Sequence, residues 1–241
     1  MFRLPLQVAF LTGQSDPDGA ALSPAQERFL DALPVPASAK VRVNFPYPEW
    51  TPPHRKMPLL RASWNNARQY LASRRPEFGE RHRPAVRALL ARAEHTLFLA
   101  GSCGLELLAN LGLAESELAG VHVFGYGAVA RRLPACEVRR VSARWDWVEV
   151  LGVRGRLGPP DARVAGGHLG YLSDPEVLAL CSRFLAELSL RADGLAGPKV
   201  GGAEVSAGRS GVEAAKGSEV SPGAPSAAPI APLAESAREL P

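Results

Sequence analysis

Between His95 and Leu111 a continuous apolar run, His95-Thr96-Leu97-Phe98-Leu99-Ala100, passes into a helix-like pattern, Leu105-Glu106-Leu107-Leu108-Ala109-Asn110-Leu111, across the small residues Gly101-Ser102-Cys103-Gly104. A strand apolar on both faces has to be covered on both, and a helix that follows without a hairpin turn folds back over the sheet. This unit commits the chain to a parallel sheet flanked by helices.

The rest of the first 190 residues repeats the theme. Leu6-Gln7-Val8-Ala9-Phe10-Leu11 reads as a strand ending at Thr12-Gly13, and Ser23-Pro24-Ala25-Gln26-Glu27 supplies a cap, a first-turn proline and an acidic first turn for a helix. Lys40 to Phe45 alternates with period two and reads as a second strand, opening into a proline-rich loop from Pro46 to Pro58. Helical patterns follow at Ala62 to Ser73 and Pro84 to Ala93. Strand patterns recur at Val121 to Gly125, Glu137 to Ala143 and Ala162 to Ala165, and a helix started by Asp174-Pro175 runs to Leu188. The expected fold class is α/β, a doubly wound, mainly parallel sheet of about six strands with helices on both faces.

Every Phe, Trp and Tyr lies at or before Phe184, and from Arg191 onward the chain is mostly Gly, Ala, Ser, Pro and Glu. Such a composition buries too little apolar surface to offset the entropy of ordering, so the expected organisation is one domain, residues 1–190, and a disordered tail, residues 191–241. No stretch reaches membrane-spanning length, and the start of the chain runs almost directly into a strand pattern; a soluble cytoplasmic protein with no membrane partner is expected. Cys103, Cys136 and Cys181 are widely spaced and odd in number, which fits reduced thiols rather than disulfides or a zinc site. The net charge is +4, and the arginines between Arg74 and Arg92 recur along a helical pattern with a single aromatic, Phe78, among them, so they read as a solvated helix face and no nucleic-acid partner is expected.

The segment Ala100-Gly101-Ser102-Cys103-Gly104 resembles the nucleophile elbow usually written G-x-S-x-G, with tiny residues two before and two after the serine where neighbouring backbone passes closely. Taking Cys103 as nucleophile would put Leu105 at the crowded position, so Ser102 is favoured. A serine at a helix start also serves as a plain cap. Asp146 follows the Glu137 to Ala143 strand, and His168 lies in the turn Gly166-Gly167-His168-Leu169-Gly170 before the last helix. The bland alternatives are a surface aspartate and a solvated histidine. His54, His82, His95 and His122 read as solvated or packed side chains.

Over residues 6 to about 188 the chain resembles the α/β-hydrolase superfamily, as a small member without a long lid insertion between Gly125 and Cys136, although Phe45 to His54 could cover the site. The resemblance implies Ser102 as nucleophile, His168 as general base and then acid, and Asp146 orienting the imidazole. It implies an oxyanion site from backbone N–H groups of Cys103 and of the Thr12-Gly13-Gln14 loop. Ala100 and Thr12 depart from the common pattern, and the first two strands of larger members are missing. Trp145, with Trp50 and Trp147, would either contribute to an apolar substrate pocket or serve packing.

The resulting expectation is a serine hydrolase acting on an ester or thioester of a small-molecule substrate through an acyl-enzyme. The alternatives are an acyltransferase using the same residues and a non-catalytic scaffold of the same fold. No phosphate-loop motif, no H-E-x-x-H and no Cys/His cluster occurs, and Asp16-Pro17-Asp18-Gly19 reads as a turn, so no cofactor or metal is expected.

Overall fold

The computed structural model describes residues 3–153 and 156–195. In chain order the elements are β1 (Leu4–Phe10), α1 (Pro24–Ala32), α2 (Leu59–Ala72), α3 (Pro76–Leu90), β2 (Ala93–Gly101), α4 (Gly104–Asn110), α5 (Glu115–Leu118), β3 (Val121–Tyr126), β4 (Glu137–Ala143), α6 (Trp147–Val153), β5 (Ala162–Val164) and α7 (Pro175–Leu195). The five strands form one sheet in the order β1-β2-β3-β4-β5, with every neighbouring pair parallel.

The period-two alternation of the strands sorts their side chains onto two faces. Leu6, Val8, Phe10, Leu97 and Leu99 pack with Phe29 and Leu30 of α1 and Val177, Phe184 and Leu185 of α7. Ala9, Leu11, Phe98 and Ala100 pack instead with Phe78, Val86 and Leu89 of α3 and Leu105 and Leu108 of α4. The sheet is covered on both faces, as expected of a doubly wound α/β fold. Helix α1 starts on the expected cap: the Gln26 N–H donates to Ser23 Oγ (3.3 Å) and the Ser23 N–H to Gln26 Oε1 (2.8 Å).

Three expectations are corrected. Lys40 to Phe45 is not a sixth strand, because its hydrogen bonds are divided between two partners: Val41 N–H donates to the Val8 carbonyl (2.9 Å), and Asn44 N–H to the Ala20 carbonyl (2.8 Å). It nonetheless caps the free edge of β1, where Tyr47 Oη donates to the Phe10 carbonyl (2.8 Å) and Asn44 Oδ1 accepts from Thr12 N–H (3.1 Å). An edge satisfied this way offers no strand for another chain to pair with. The helix expected from Pro84 begins at Pro76 and holds Pro84 in its interior, and Ala93 already belongs to β2. The last helix continues past Leu188 to Leu195, so residues 191–195 are helical; the remainder of the expected tail lies outside the described residues.

Because the chain leaves β1 toward the Lys40 edge and returns to β2 on the opposite side, the winding reverses between β1 and β2. Open α/β sheets bind ligands beyond the carboxyl ends of the strands at such a reversal. The loops at that point are Leu11 to Gln14 and Gly101 to Cys103.

Candidate active site

Ser102 follows the last residue of β2 and is held at φ +51°, a left-handed conformation that costs a non-glycine residue energy and persists only where surroundings enforce it. Two hydrogen bonds to the β3 side enforce it: Ser102 N–H donates to the Tyr126 carbonyl (3.2 Å), and the Ser102 carbonyl accepts from Val129 N–H (2.8 Å). Gly104 lets the turn close, since a Cβ there would lie 1.9 Å from the Leu11 carbonyl oxygen and 3.3 Å from the Ala100 Cβ. The neighbouring Cys103 is 3% exposed, and burial pushes its thiol up to about 12. A buried neutral thiol is a poor nucleophile, which leaves Ser102 as the accessible one.

Asp146 lies beyond β4 and His168 beyond β5. His168 Nδ1 is 3.0 and 2.9 Å from the two oxygens of Asp146. A carboxylate only accepts, so Nδ1 carries the proton and Nε2 is the nitrogen left to act as a base. The Asp146 side chain is fully buried, and two further donors fix it, Glu149 N–H (2.9 Å) and Tyr171 Oη (2.8 Å). Tyr171 is itself anchored by the Ala143 N–H at the end of β4 (2.7 Å). Burial works against the Asp146 charge, but the bonds from His168, Glu149 N–H and Tyr171 together outweigh it and hold the carboxyl below its usual range. Gly127, at φ +53°, makes room for the pair: a Cβ there would fall 2.9 Å from Asp146 Oδ2 and 3.2 Å from His168 Nδ1.

A second carboxyl sits beside the first. Glu149 Oε1 accepts a short hydrogen bond from Ser142 Oγ, and its other oxygen lies 3.4 Å from Tyr171 Oη. Burial, and then repulsion from Asp146, pushes Glu149 above its usual range. Two adjacent carboxyls are thus driven in opposite directions, leaving Asp146 the charge. A raised folded-state value means that the Glu149 contribution to stability is complete below the unfolded value near pH ~4.3 and is lost as pH rises through the folded value. Glu149→Gln keeps the partners and removes the buried charge. Its melting temperature is expected to exceed that of the native chain at pH 7 and to match it at pH 4, as thermal unfolding across that range would record.

A cleft of about 790 Å³ opens at these loops, lined by Gly13, Ser102, Cys103 and Tyr126 at the sheet end, by Val148, His168 and Leu169 on one side, and by the loop Pro52 to Met57 and the α2 residues Ala62, Asn66 and Tyr70 on the other. Ser102 and His168 face the same space, and no hydrogen bond joins them among the described residues. Of the Thr12-Gly13-Gln14 loop, two N–H groups are already engaged: Thr12 with Asn44 Oδ1, and Gln14 with Gln69 Oε1 (2.7 Å). The N–H groups of Gly13 and Cys103 have no oxygen acceptor among the described residues and lie beside the Cys103 sulfur, a weak acceptor that a stronger one displaces. Asn66 Oδ1 is buried in the cleft wall with no hydrogen-bond partner.

Trp145 is corrected. It is 68% exposed and does not line the cleft; Trp50 and Trp147 are likewise exposed, so none of the three serves either a pocket or packing. The cover expected from Phe45 to His54 comes mainly from α2, with Pro52, Pro53 and His54 contributing. Tyr171, Glu149 and Gly127 were not singled out from the sequence. The visible signal for Glu149 was its position three residues after Asp146, one helical turn along. All three cysteines are free, and no cluster of His, Cys, Asp and Glu among the described residues has the form of a metal site. Nor is any described helix long and apolar enough to cross a membrane.

No family model and no curated protein matches the sequence. Among solved structures, a protein of unknown function from Agrobacterium tumefaciens, provisionally termed an alpha/beta hydrolase, aligns at 10% identity with a TM-score of 0.43 over 80% of this chain and 88% of that one. That likeness is too slight to bear on mechanism.

Proposed function

We propose that the chain is a serine hydrolase of α/β-hydrolase type acting on a carboxylic ester or thioester. The observation that carries the proposal is Ser102 in its enforced left-handed turn, facing the same cleft as a histidine whose Nδ1 is held by a buried carboxylate. In this reading Ser102 Oγ attacks the carbonyl carbon while His168 Nε2 takes its proton, and the imidazolium that forms is stabilised by Asp146. The carbonyl oxygen, now an anion, is held by the N–H groups of Gly13 and Cys103, donors of a kind worth about 2.7–4 kcal/mol each. His168 returns the proton to the departing alkoxide or thiolate. Water, deprotonated by His168, then attacks the Ser102 acyl ester and releases the acid.

No hydrogen bond joins Ser102 to His168 among the described residues; in this reading the bond tightens when substrate binds, as catalytic hydrogen bonds commonly do. The test is release of acid from short-chain p-nitrophenyl esters and acyl thioesters by the purified full chain. Free acid as sole product supports the proposal, transfer to an added alcohol or amine in place of water makes the chain an acyltransferase, and no turnover of any of them counts against an enzyme.

A further inference from the structure

Helix α2 packs inside out. Its amide side chains face the protein, with Asn65 Nδ2 donating to the Ser15 carbonyl (2.8 Å) and Gln69 exchanging bonds with Gln14 (2.7 and 3.1 Å). None of its residues is buried, while Leu60, Trp64 and Leu71, spaced to share one face, are 87%, 66% and 57% exposed. A surface helix ordinarily buries its apolar stripe against the core. Here the stripe runs outward along the rim of the cleft, next to the lining residues Ser63 and Ala67.

The opposite rim repeats the pattern. On α6 Trp147, Val148, Val150 and Leu151 are exposed, Trp145 just precedes them, and Leu169 projects from the His168 turn. Both carboxyls of this stretch, Asp146 and Glu149, are turned inward, which leaves Arg144 as its exposed charge. All four tryptophans of the chain are 66–77% exposed, and every large exposed apolar side chain among the described residues except Trp50, Leu133 and Leu190 lies on these two rims.

Charge identifies what covers them. Residues 51–76 hold six Lys and Arg and no Asp or Glu. Arg55 is paired with Asp16 and Arg74 lies 3.5 Å from Glu106, whereas Lys56, Arg61, Arg68 and Arg75 have no ion-pair partner among the described residues. Arg61 and Arg68, seven residues apart, run along one side of the Leu60-Trp64-Leu71 stripe. Tryptophan and leucine on one face beside unpaired arginines form the pattern of a helix that lies in the headgroup region of an anionic bilayer. We propose that the rims of the cleft dock on an anionic lipid surface, with α2 lying in its plane and the cleft opening toward it. The expectation of no membrane partner rested on the lack of a spanning segment, which does not bear on surface attachment.

The full chain is mixed with vesicles of phosphatidylcholine containing phosphatidylglycerol, and with vesicles of phosphatidylcholine alone, and binding is read by sedimentation and by tryptophan emission. Expected are a blue shift and saturable binding to the anionic vesicles, weakened by added salt and on the order of tenfold lower for the double variant Arg61→Glu/Arg68→Glu. Leu60→Ser/Trp64→Ser should lose the binding while keeping the native melting temperature, because these side chains are exposed. Absence of binding to either vesicle, or equal binding to both, overturns the proposal. So does a concentration-dependent dimer that the Leu60→Ser/Trp64→Ser variant abolishes, since the stripe then belongs to a second copy. Binding is read without turnover and is expected unchanged in Ser102→Ala, so it stands or falls separately from the hydrolase reading.

Discussion

Ser102→Ala and His168→Ala are each expected to lower kcat on a p-nitrophenyl ester by roughly 10⁴–10⁶-fold, and the double variant to fall no further than the worse of the two. Non-additivity follows because one proton transfer needs both partners: without the hydroxyl the imidazole has nothing to activate. Stability should move the other way. Ser102 is held at φ +51°, and Ser102→Gly relieves that conformation, so unfolding in denaturant should show a gain of about 1 kcal/mol with turnover lost. Full activity in Ser102→Ala, or multiplicative losses in the double variant, would separate the two residues.

Gly104→Ala is expected to cost roughly 3 kcal/mol, a melting temperature lower by on the order of 10 °C for a domain of this size. Two effects compete. Gly104 opens α4, where alanine has the higher helix propensity, worth up to about 1 kcal/mol in the interior of a helix. Against this, the new Cβ would stand 1.9 Å from the Leu11 carbonyl oxygen, which belongs to the backbone and cannot swing aside. The clash wins, and because Leu11 leads into the Gly13 loop, relief of it displaces that loop. Gly170→Ala is the comparison: its Cβ would meet Gly167 O at 3.4 Å, an ordinary contact, and stability should be nearly unchanged. Calorimetry on the pair checks both.

How much of this was legible depends on whether the signal is local. The β2-turn-α4 unit was, because an apolar run, four small residues and a helical repeat all point one way. The helix start at Ser23 was legible for the same reason, although the reciprocal bond to Gln26 was not. Lys40 to Phe45 alternates as a strand does, but alternation says nothing of where the backbone bonds go, and here they go to two different partners. Trp145 was misjudged because adjacency to Asp146 in the chain puts successive side chains on opposite sides: the aspartate turns in and the tryptophan turns out. Tyr171 could not be read at all, since its place depends on Ala143 and Asp146, 28 and 25 residues earlier. The orientation of α2 was hidden for a different reason. A helical repeat has the same period whether its apolar stripe faces the core or the solvent, and only the amide contacts to Gln14 and Ser15 reveal which.

Activation of the Ser102 hydroxyl by His168, as proposed, can be read directly on the folded protein. A fluorophosphonate forms a stable bond to a serine activated in this way, so the folded full chain is treated with it and the adduct located by peptide mass mapping. One adduct is expected, on Ser102, formed far more slowly in His168→Ala. An adduct on Cys103 or another residue, or none on folded protein, would contradict it.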